Sequence, residues 1–189
     1  MNLDTQSDGI TAIKEAVLTL SSYAQRYGLN NDFLLKIIKI ITNPVIKTPL
    51  QFKIALIRDA LYPRFLVSSK IVVSIIGIKH DHKSHIHHSV HSALLKWLVT
   101  VYSFLEDTLI ISKLYTPILA KVPYESTRQW VCHLIFLSTT QSLVTQWRIQ
   151  LLTEYYVRFP SSQYITALLR LYQTYVPLLF VGSLPLVRA

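Results

Sequence analysis

The sequence predicts an all-α fold, and three observations support this class. Apolar residues recur three and four positions apart along most of the chain, which is the spacing of one helical face. Each apolar stretch follows a Ser, Thr, Asp or Asn residue that is suited to cap a helix. The 189 residues include only 4 glycines, which argues against a sheet protein with many tight turns.

Four helices are predicted in the first half of the chain, after a polar tail at residues 1–6. Their starts and ends are, in order, Ser7 or Asp8 to Gly28, Asn30 or Asn31 to Asn43-Pro44, Thr48-Pro49 to the residue before Pro63, and Ser68 or Ser69 to Gly77. Their inward faces are predicted to hold Ile10, Ile13, Val17, Leu20 and Ala24, then Phe33, Leu34, Ile37, Ile38 and Ile41, then Leu50, Ile54, Ile57 and Leu61, then Val72, Val73, Ile75 and Ile76. Because residues 71–78 are almost all β-branched, a buried strand is the competing prediction for the fourth element.

Five further helices are predicted in the second half. The fifth runs from Ser84 to Leu105, and the sixth starts at Asp107 or Thr108 and is expected to kink or end early at Pro117. The last three are predicted to start at Ser126, Thr140 and Ser161. The inward faces of the last four helices are predicted to hold Leu109, Ile110, Leu114 and Ile118, then Trp130, Val131, Leu134 and Leu137, then Val144, Trp147, Leu151 and Tyr155, then Ile165, Leu168, Leu169 and Tyr172.

The predicted helices recur at a nearly constant distance. Every second predicted start gives the series Ser7, Thr48, Ser84, Ser126 and Ser161. Successive members of this series are 41, 36, 42 and 35 residues apart. HEAT-like helix pairs repeat about every 40 residues, and stacked pairs bury apolar faces that one pair cannot bury alone. We therefore predict HEAT-like helical repeats, with about nine helices in stacked antiparallel pairs over residues 7–177. A compact orthogonal bundle is the alternative, and the apolar residues 178–189 are expected to continue into a longer protein.

Positive charge is concentrated between residues 33 and 100. The formal net charge of the chain is +9, and this stretch holds ten Lys or Arg residues against two acidic ones. Such a patch indicates an acidic partner, either nucleic acid or an acidic protein surface. A solvated lysine face that keeps an apolar protein soluble explains the composition equally well. The residues predicted to contact an acidic partner or DNA are Lys47, Lys53, Arg64, Lys70, Lys79 and Lys83.

Six histidines occur within twelve positions, at His80, His82, His85, His87, His88 and His91. His87 and His91 have a spacing that can hold a metal on a helix, but the glutamate of the zinc-protease motif His-Glu-x-x-His is absent. We therefore predict neither a functional metal site nor a cofactor. Partial protonation of these histidines near pH 6.5 is expected to add positive charge beside Lys79 and Lys83.

No catalytic arrangement is predicted. Cys132 and His133 are adjacent and therefore point about 100° apart on a helix, so we interpret them as a buried structural thiol and a polar-edge histidine. The acidic residues are scattered, and no phosphate-binding glycine loop is present. Trp97, Trp130 and Trp147 are predicted to pack in the core. Neither of the two long uncharged stretches is apolar enough to predict a membrane-spanning helix.

Several short motifs follow one another in order between Leu56 and Arg188. They are Leu61-Tyr62-Pro63, Lys96-Trp97-Leu98 with Val101-Tyr102, Trp130-Val131-Cys132-His133-Leu134, Trp147-Arg148-Ile149 with Leu151-Leu152, Ala167-Leu168-Leu169-Arg170-Leu171-Tyr172 and Ser183-Leu184-Pro185. Together they resemble the successive signatures of the centromere protein I family, the Mis-six-like subunits of the inner kinetochore. The first 50 residues contain no such motif, and the histidine cluster is peculiar to this chain.

The resemblance implies an N-terminal fragment of a HEAT-like, non-enzymatic scaffold in the constitutive centromere-associated network. It also implies binding to the helical heterodimer of centromere proteins H and K, other inner-kinetochore partners such as centromere protein M, and a location at the centromere in the nucleus. Contact with centromeric DNA is left open, and neither a membrane nor a small-molecule substrate is expected. The rival functions are a stand-alone, sequence-independent nucleic-acid-binding repeat protein and a metal-dependent enzyme that uses the histidines.

Overall fold

A computed structural model describes residues 4–46, 48–78 and 86–180 of the chain. In these ranges it contains ten α-helices: α1 (Asp4–Tyr27), α2 (Asn31–Thr42), α3 (Leu50–Asp59), α4 (Ser69–Ile76), α5 (His88–Thr100), α6 (Leu109–Lys113), α7 (Tyr115–Leu119), α8 (Glu125–Ser138), α9 (Gln146–Arg158) and α10 (Gln163–Tyr175). Short 3-10 helices lie at Tyr102–Phe104, Gln141–Leu143 and Pro177–Phe180. The all-α prediction is confirmed, and the competing strand at residues 71–78 is wrong because α4 occupies that stretch.

The chain divides into two compact units, Met1–Asp107 and Thr108–Ala189. In the first unit, α3 packs against both α1 and α5, whereas α2 packs against α4. Alternate helices of successive pairs therefore contact one another, as in a HEAT-like array. In the second unit, α8 packs against α6, α7 and α10, and α10 also packs against α9.

Apolar stripes at helical spacing form the core of the first unit. The buried residues of α2 and α4 are Leu34, Ile37, Ile38 and Ile41, and Ile71, Val72, Ile75 and Ile76. Each such side chain contributes about 1.5–3 kcal/mol when it is removed from water. Because α4 has only eight residues, this burial rather than its own hydrogen bonds keeps it helical.

Most predicted helix starts differ from the observed ones. Asn30 caps α2 as predicted, since its side chain accepts a hydrogen bond from the Phe33 amide at 2.9 Å. Ser68 and Thr108 also directly precede α4 and α6, as predicted. The predicted starts at Ser7 or Asp8, Thr48-Pro49, Ser126, Thr140 and Ser161 were wrong, because the helices begin at Asp4, Leu50, Glu125, Gln146 and Gln163. Ser84 lies outside the described residues, and α5 begins at His88. At the caps that the structure describes, only the side chains of Asn30 and His87 bond to a first-turn amide, so packing and loop geometry set the other starts.

Several residues predicted to face inward are exposed. They are Ile10, Phe33, Leu50, Val73, Leu109, Leu137 and Trp147. In each case the apolar face of the helix is wider than the part that neighbouring helices cover. Sequence periodicity alone does not indicate how much of that face is covered. Trp97 is buried as predicted, Trp130 is half-buried, and the prediction of core packing was wrong for Trp147.

Pro117 explains why the described residues form ten helices instead of about nine. It lacks the amide that would bond to the Lys113 carbonyl, and its ring crowds that carbonyl. The predicted sixth helix is accordingly interrupted at Leu114, between α6 and α7. Tyr115 follows this break at the start of α7 and is fully buried. The inward-face prediction had omitted this residue.

A chain of hydroxyl groups crosses the core of the second unit. The Tyr115 hydroxyl lies 2.5 Å from the Tyr172 hydroxyl and 2.8 Å from the Thr139 hydroxyl. Because Thr139 donates to the Ile135 carbonyl at 2.6 Å, it accepts from Tyr115, which in turn accepts from Tyr172. Burial raises the pKa of both tyrosines, so both donors remain protonated at neutral pH.

The direction of this chain predicts unequal effects of removing the two tyrosine hydroxyls. Tyr115→Phe leaves the Tyr172 donor and the Thr139 acceptor unpaired in the core, and we expect it to lower the free energy of unfolding by about 1–3 kcal/mol. Tyr172→Phe removes only the terminal donor, and we expect a loss of about 1 kcal/mol. Urea unfolding followed by circular dichroism measures both variants, and a larger loss for Tyr172→Phe would contradict the assigned direction.

Gly28 ends α1 in a backbone conformation that other residues rarely adopt. Its φ is +67°, and its amide donates to the Ala24 carbonyl at 2.8 Å, as expected for a glycine that closes a helix. A Cβ at this position would lie 2.7 Å from the Cα of Arg64, on a separate loop. Glycine therefore satisfies both a left-handed turn and a close approach between two backbones.

We expect Gly28→Ala to destabilise the first unit. The left-handed conformation alone costs an L-residue about 1–2 kcal/mol, and overlap with Arg64 adds to that cost. Gly9→Ala is the matched control, because Gly9 lies inside α1 and a Cβ there meets no atom within 4 Å. Thermal unfolding is expected to show a lower Tm for Gly28→Ala and an unchanged or higher Tm for Gly9→Ala. Equal Tm shifts in the two variants would contradict this account of Gly28.

Candidate partner-binding surface

The loop Tyr62–Val67, between α3 and α4, pairs with backbone on both of its sides. On one side, Leu29 donates to the Tyr62 carbonyl at 2.7 Å and its own carbonyl accepts from Arg64 at 2.8 Å. On the other side, Val67 donates to the Phe104 carbonyl at 2.8 Å and accepts from Glu106 at 3.0 Å. Two isolated parallel bridges result, and they bring three inter-helix connections to one edge of the first unit.

Asn31 strengthens this arrangement with its side chain. Its Nδ2 donates to the Leu66 carbonyl at 3.0 Å, and its Oδ1 accepts from the Ser68 amide at 3.1 Å. The sequence indicated Asn31 only as an alternative helix cap, since its partners are more than thirty residues away along the chain. The side-chain amide of Asn31 donates to a backbone carbonyl and accepts from a backbone amide at the same time. Asp has no side-chain donor when ionised and Leu has no polar group, so neither residue makes both hydrogen bonds.

We call these connections, residues 27–33, 60–68 and 101–106, the junction edge. Six large apolar side chains are exposed there, each with 44% to 62% of its surface accessible: Tyr27, Phe33, Tyr62, Phe65, Leu66 and Phe104. Scattered exposed apolar residues are ordinary, whereas a group on paired loops is characteristic of an interaction surface. Aromatic side chains of this kind often dominate the energy of protein interfaces.

Cations lie beside the aromatic rings of the junction edge. The Arg64 guanidinium is 5.3 Å from the Phe65 ring centroid, and the Lys36 ammonium is 5.4 Å from that of Phe33. Asp32 and Glu106 are also exposed at this edge, so its charge is mixed and not uniformly positive. The edge therefore offers apolar contact area with both signs of charge around it, which suits a protein partner better than a phosphate backbone.

Of the six predicted cationic contact residues, Arg64 lies in the junction edge and Lys70 lies just beyond its end at residue 68. Arg64 is exposed in the loop, and Lys70 is exposed in the first turn of α4, directly after it. Lys53 is half-buried on α3, outside the junction edge. Lys47, Lys79 and Lys83 lie outside the described residues. Charge clustering identified the cations, but the grouping of exposed aromatic residues from three separate connections became visible only in the fold.

Cys132 and His133 lie on different faces of α8. Cys132 is buried, and its burial raises the pKa of its thiol to about 12. His133 is exposed, and its Nδ1 is 3.0 Å from the Gln129 carbonyl oxygen. The pair therefore has the arrangement predicted for a structural thiol and a polar-edge histidine, not that of a nucleophile and its base.

Only half of the histidine cluster falls within the described residues. His87 caps α5 by accepting from the Ser89 amide at 3.3 Å and stacks on His88, whereas His91 is buried. Across residues 4–46, 48–78 and 86–180, no three His, Cys, Asp or Glu side chains form a group that could hold a metal ion. His80, His82 and His85 lie outside those ranges. None of the described helices has the length and apolar character needed to cross a membrane.

The order and packing of the helices define a HEAT-like helical-repeat protein. The family model described as Mis6 (CENP-I) matches residues 11–189, and the chain belongs to this family. The chain is 24% identical over 184 residues to the inner kinetochore subunit mis6 of Schizosaccharomyces pombe, and 31% identical over 90 residues to centromere protein I of Mus musculus. The predicted family resemblance is confirmed.

These relatives are much longer than this chain. The yeast match covers 94% of the chain but 27% of the relative, and the mouse match covers 48% and 12%. A solved structure of centromere protein Cenp-I shares 25% identity at a TM-score of 0.80, over 87% of this chain and 76% of that one. The structure of the kinetochore subunits Cenp-H/I/K triple complex gives 25% identity and a TM-score of 0.82, over 92% and 80%.

The buried thiol predicts slow reactivity that depends on unfolding. We expect Cys132 in the native chain to react with iodoacetamide at pH 8 much more slowly than in urea, because only the thiolate reacts. Because the thiol pKa is higher in the folded than in the unfolded chain, the protonated thiol contributes stability at pH values below about 9. This contribution is lost as the pH rises from about 9 towards 12. Mass spectrometry of timed samples measures the labelling. Equal rates in native and unfolded chains would show that the thiol is accessible.

Proposed function

We propose that the chain is part of a non-enzymatic scaffold of the inner kinetochore, and that its helical surface binds the helical subunits H and K. The observation that supports this most strongly is the likeness to the solved Cenp-H/I/K triple complex over nearly the whole chain. Helix pairs stacked in an array expose long edges and grooves, and such surfaces suit partner helices. This chain spans about a quarter of the length of its yeast relative, so the proposal concerns only the part of the scaffold that matches this chain.

The junction edge is the surface we assign to this contact. Its loops are held by backbone pairing on both sides, so little conformational freedom is lost when a partner binds. The exposed aromatic residues supply apolar area, and Arg64 and Lys70 supply charge for acidic side chains of the partner. Lys47, Lys53, Lys79 and Lys83 extend this proposed contact along the chain.

The scaffold is proposed to act at the centromere within the nucleus. Centromere protein M is a further proposed partner, and this proposal rests on the family resemblance alone. The matched proteins are named as centromere and kinetochore proteins, and none is named as a stand-alone nucleic-acid-binding protein. A direct nucleic-acid binder should lose affinity steeply with salt as the isolated chain, and this property separates the rival function from the scaffold.

Charge reversal at the junction edge tests the proposed contact. We expect Arg64→Glu/Lys70→Glu to weaken binding of the purified H and K pair about tenfold at low salt, with a smaller effect at high salt, because exposed charges are screened. Lys113→Glu/Arg170→Glu is the matched control, since it makes the same charge change at exposed positions of the second unit. Fluorescence anisotropy at two salt concentrations gives the Kd values. Unchanged binding to both the H and K pair and DNA would remove these cations from the contact.

A further inference from the structure

A groove runs between α3 and α5 on the first unit. It has a volume of about 340 Å³, and its floor is formed mainly by Ile54, Leu61, Ala93 and Trp97. The indole of Trp97 donates to the Leu61 carbonyl at 2.6 Å, which fixes α5 against the end of α3. One turn earlier on α5, Ala93 is too small to fill the space opposite Ile54. The groove thus follows from a large residue and a small residue on the same helical face.

The groove has the dimensions of a seat for a helix. A second, more open hollow shares Ile54 and Arg58 with it and continues along α3 to Pro49. Together they follow α3 through its ten residues, a length of about 15 Å, or nearly three helical turns. A side-chain ridge of one helix packs into a groove of this kind, with the helix axes about 8–10 Å apart.

The two cations that line the groove are exposed, so their charged ends lie at its rims. Arg58 lies on α3 and Lys96 on α5, and none of the described residues that line the groove is acidic. Asp59 lines the hollow on the other side of α3 and binds Nε and one Nη of Arg58, at 2.8 and 2.7 Å. The remaining Nη can donate to a partner carboxylate. A small-molecule pocket instead has polar groups that converge on the ligand from its walls.

We infer that the α3–α5 groove seats one amphipathic partner helix whose apolar ridge is flanked by acidic side chains. The apolar floor receives the ridge, and the two rim cations meet carboxylates on either side of it. The groove also reaches the junction edge, because Tyr62 and Pro63 belong to both. This inference rests on the proposed function, since it names the surface that receives a partner subunit.

Two variants of this chain test the inference against the purified H and K pair. Arg58→Glu/Lys96→Glu reverses both rim charges at exposed positions, and Ala93→Leu fills the groove with a residue that favours helix. We expect each to raise the Kd about tenfold, whereas Lys113→Glu/Arg170→Glu changes it less than about twofold. Circular dichroism is expected to show a slightly lower Tm for the rim variant, because it loses the exposed Arg58–Asp59 ion pair, and an unchanged or higher Tm for Ala93→Leu.

The outcomes separate the groove from the proposed function. Normal binding by both variants would overturn the groove while the scaffold function stands. An effect of the rim variant alone would indicate a charge contact without a seated helix, and an effect of Ala93→Leu alone would exclude the acidic flanks; either result overturns the inference. If the unmodified chain does not bind the H and K pair, the proposed function and the inference both fail.

Discussion

The first unit depends on the backbone pairing of the loop Tyr62–Val67. Loops normally leave their backbone groups to water, but here Leu29, Phe104 and Glu106 pair with them directly. The pairing requires a close approach at Gly28, where only glycine has both the conformation and the space. Asn31 adds two side-chain hydrogen bonds to the same loop. Three inter-helix connections are thereby held together, and their apolar side chains are left facing solvent.

The second unit is held together differently. Its described helices lack side-chain caps, as do α3 and α4 of the first unit, so their positions depend on packing around α8 and α10. The hydroxyl chain from Tyr172 through Tyr115 to Thr139 crosses that packing. A buried polar chain is tolerated only when each donor has an acceptor, and this requirement specifies how α7, α8 and α10 meet. Its proton positions follow from one observation, the donation of Thr139 to the Ile135 carbonyl.

Rigid loops and an apolar groove together describe a surface that is suited to other proteins. The junction edge presents aromatic residues on a backbone that is already ordered, and the α3–α5 groove opens onto it at Tyr62 and Pro63. An ordered surface loses little entropy on association, so its contact area is converted efficiently into affinity. The chain belongs to the Mis6 family, and its yeast relative is named as an inner kinetochore subunit.

Most of the helix starts from which the repeat spacing was counted were wrong, but the amino-acid sequence alone predicted the all-α class and the family, because helical periodicity and ordered motifs are local properties of the chain. It also identified Asn30 as a cap, Gly28 as a helix end and Cys132 as a buried thiol. Tertiary structure decided which part of each apolar stripe is covered, as Phe33 and Trp147 show, because coverage depends on neighbours that are distant in sequence. It also decided the site: charge counting pointed to Arg64 and Lys70, but only the paired loops grouped exposed aromatic residues from three separate connections.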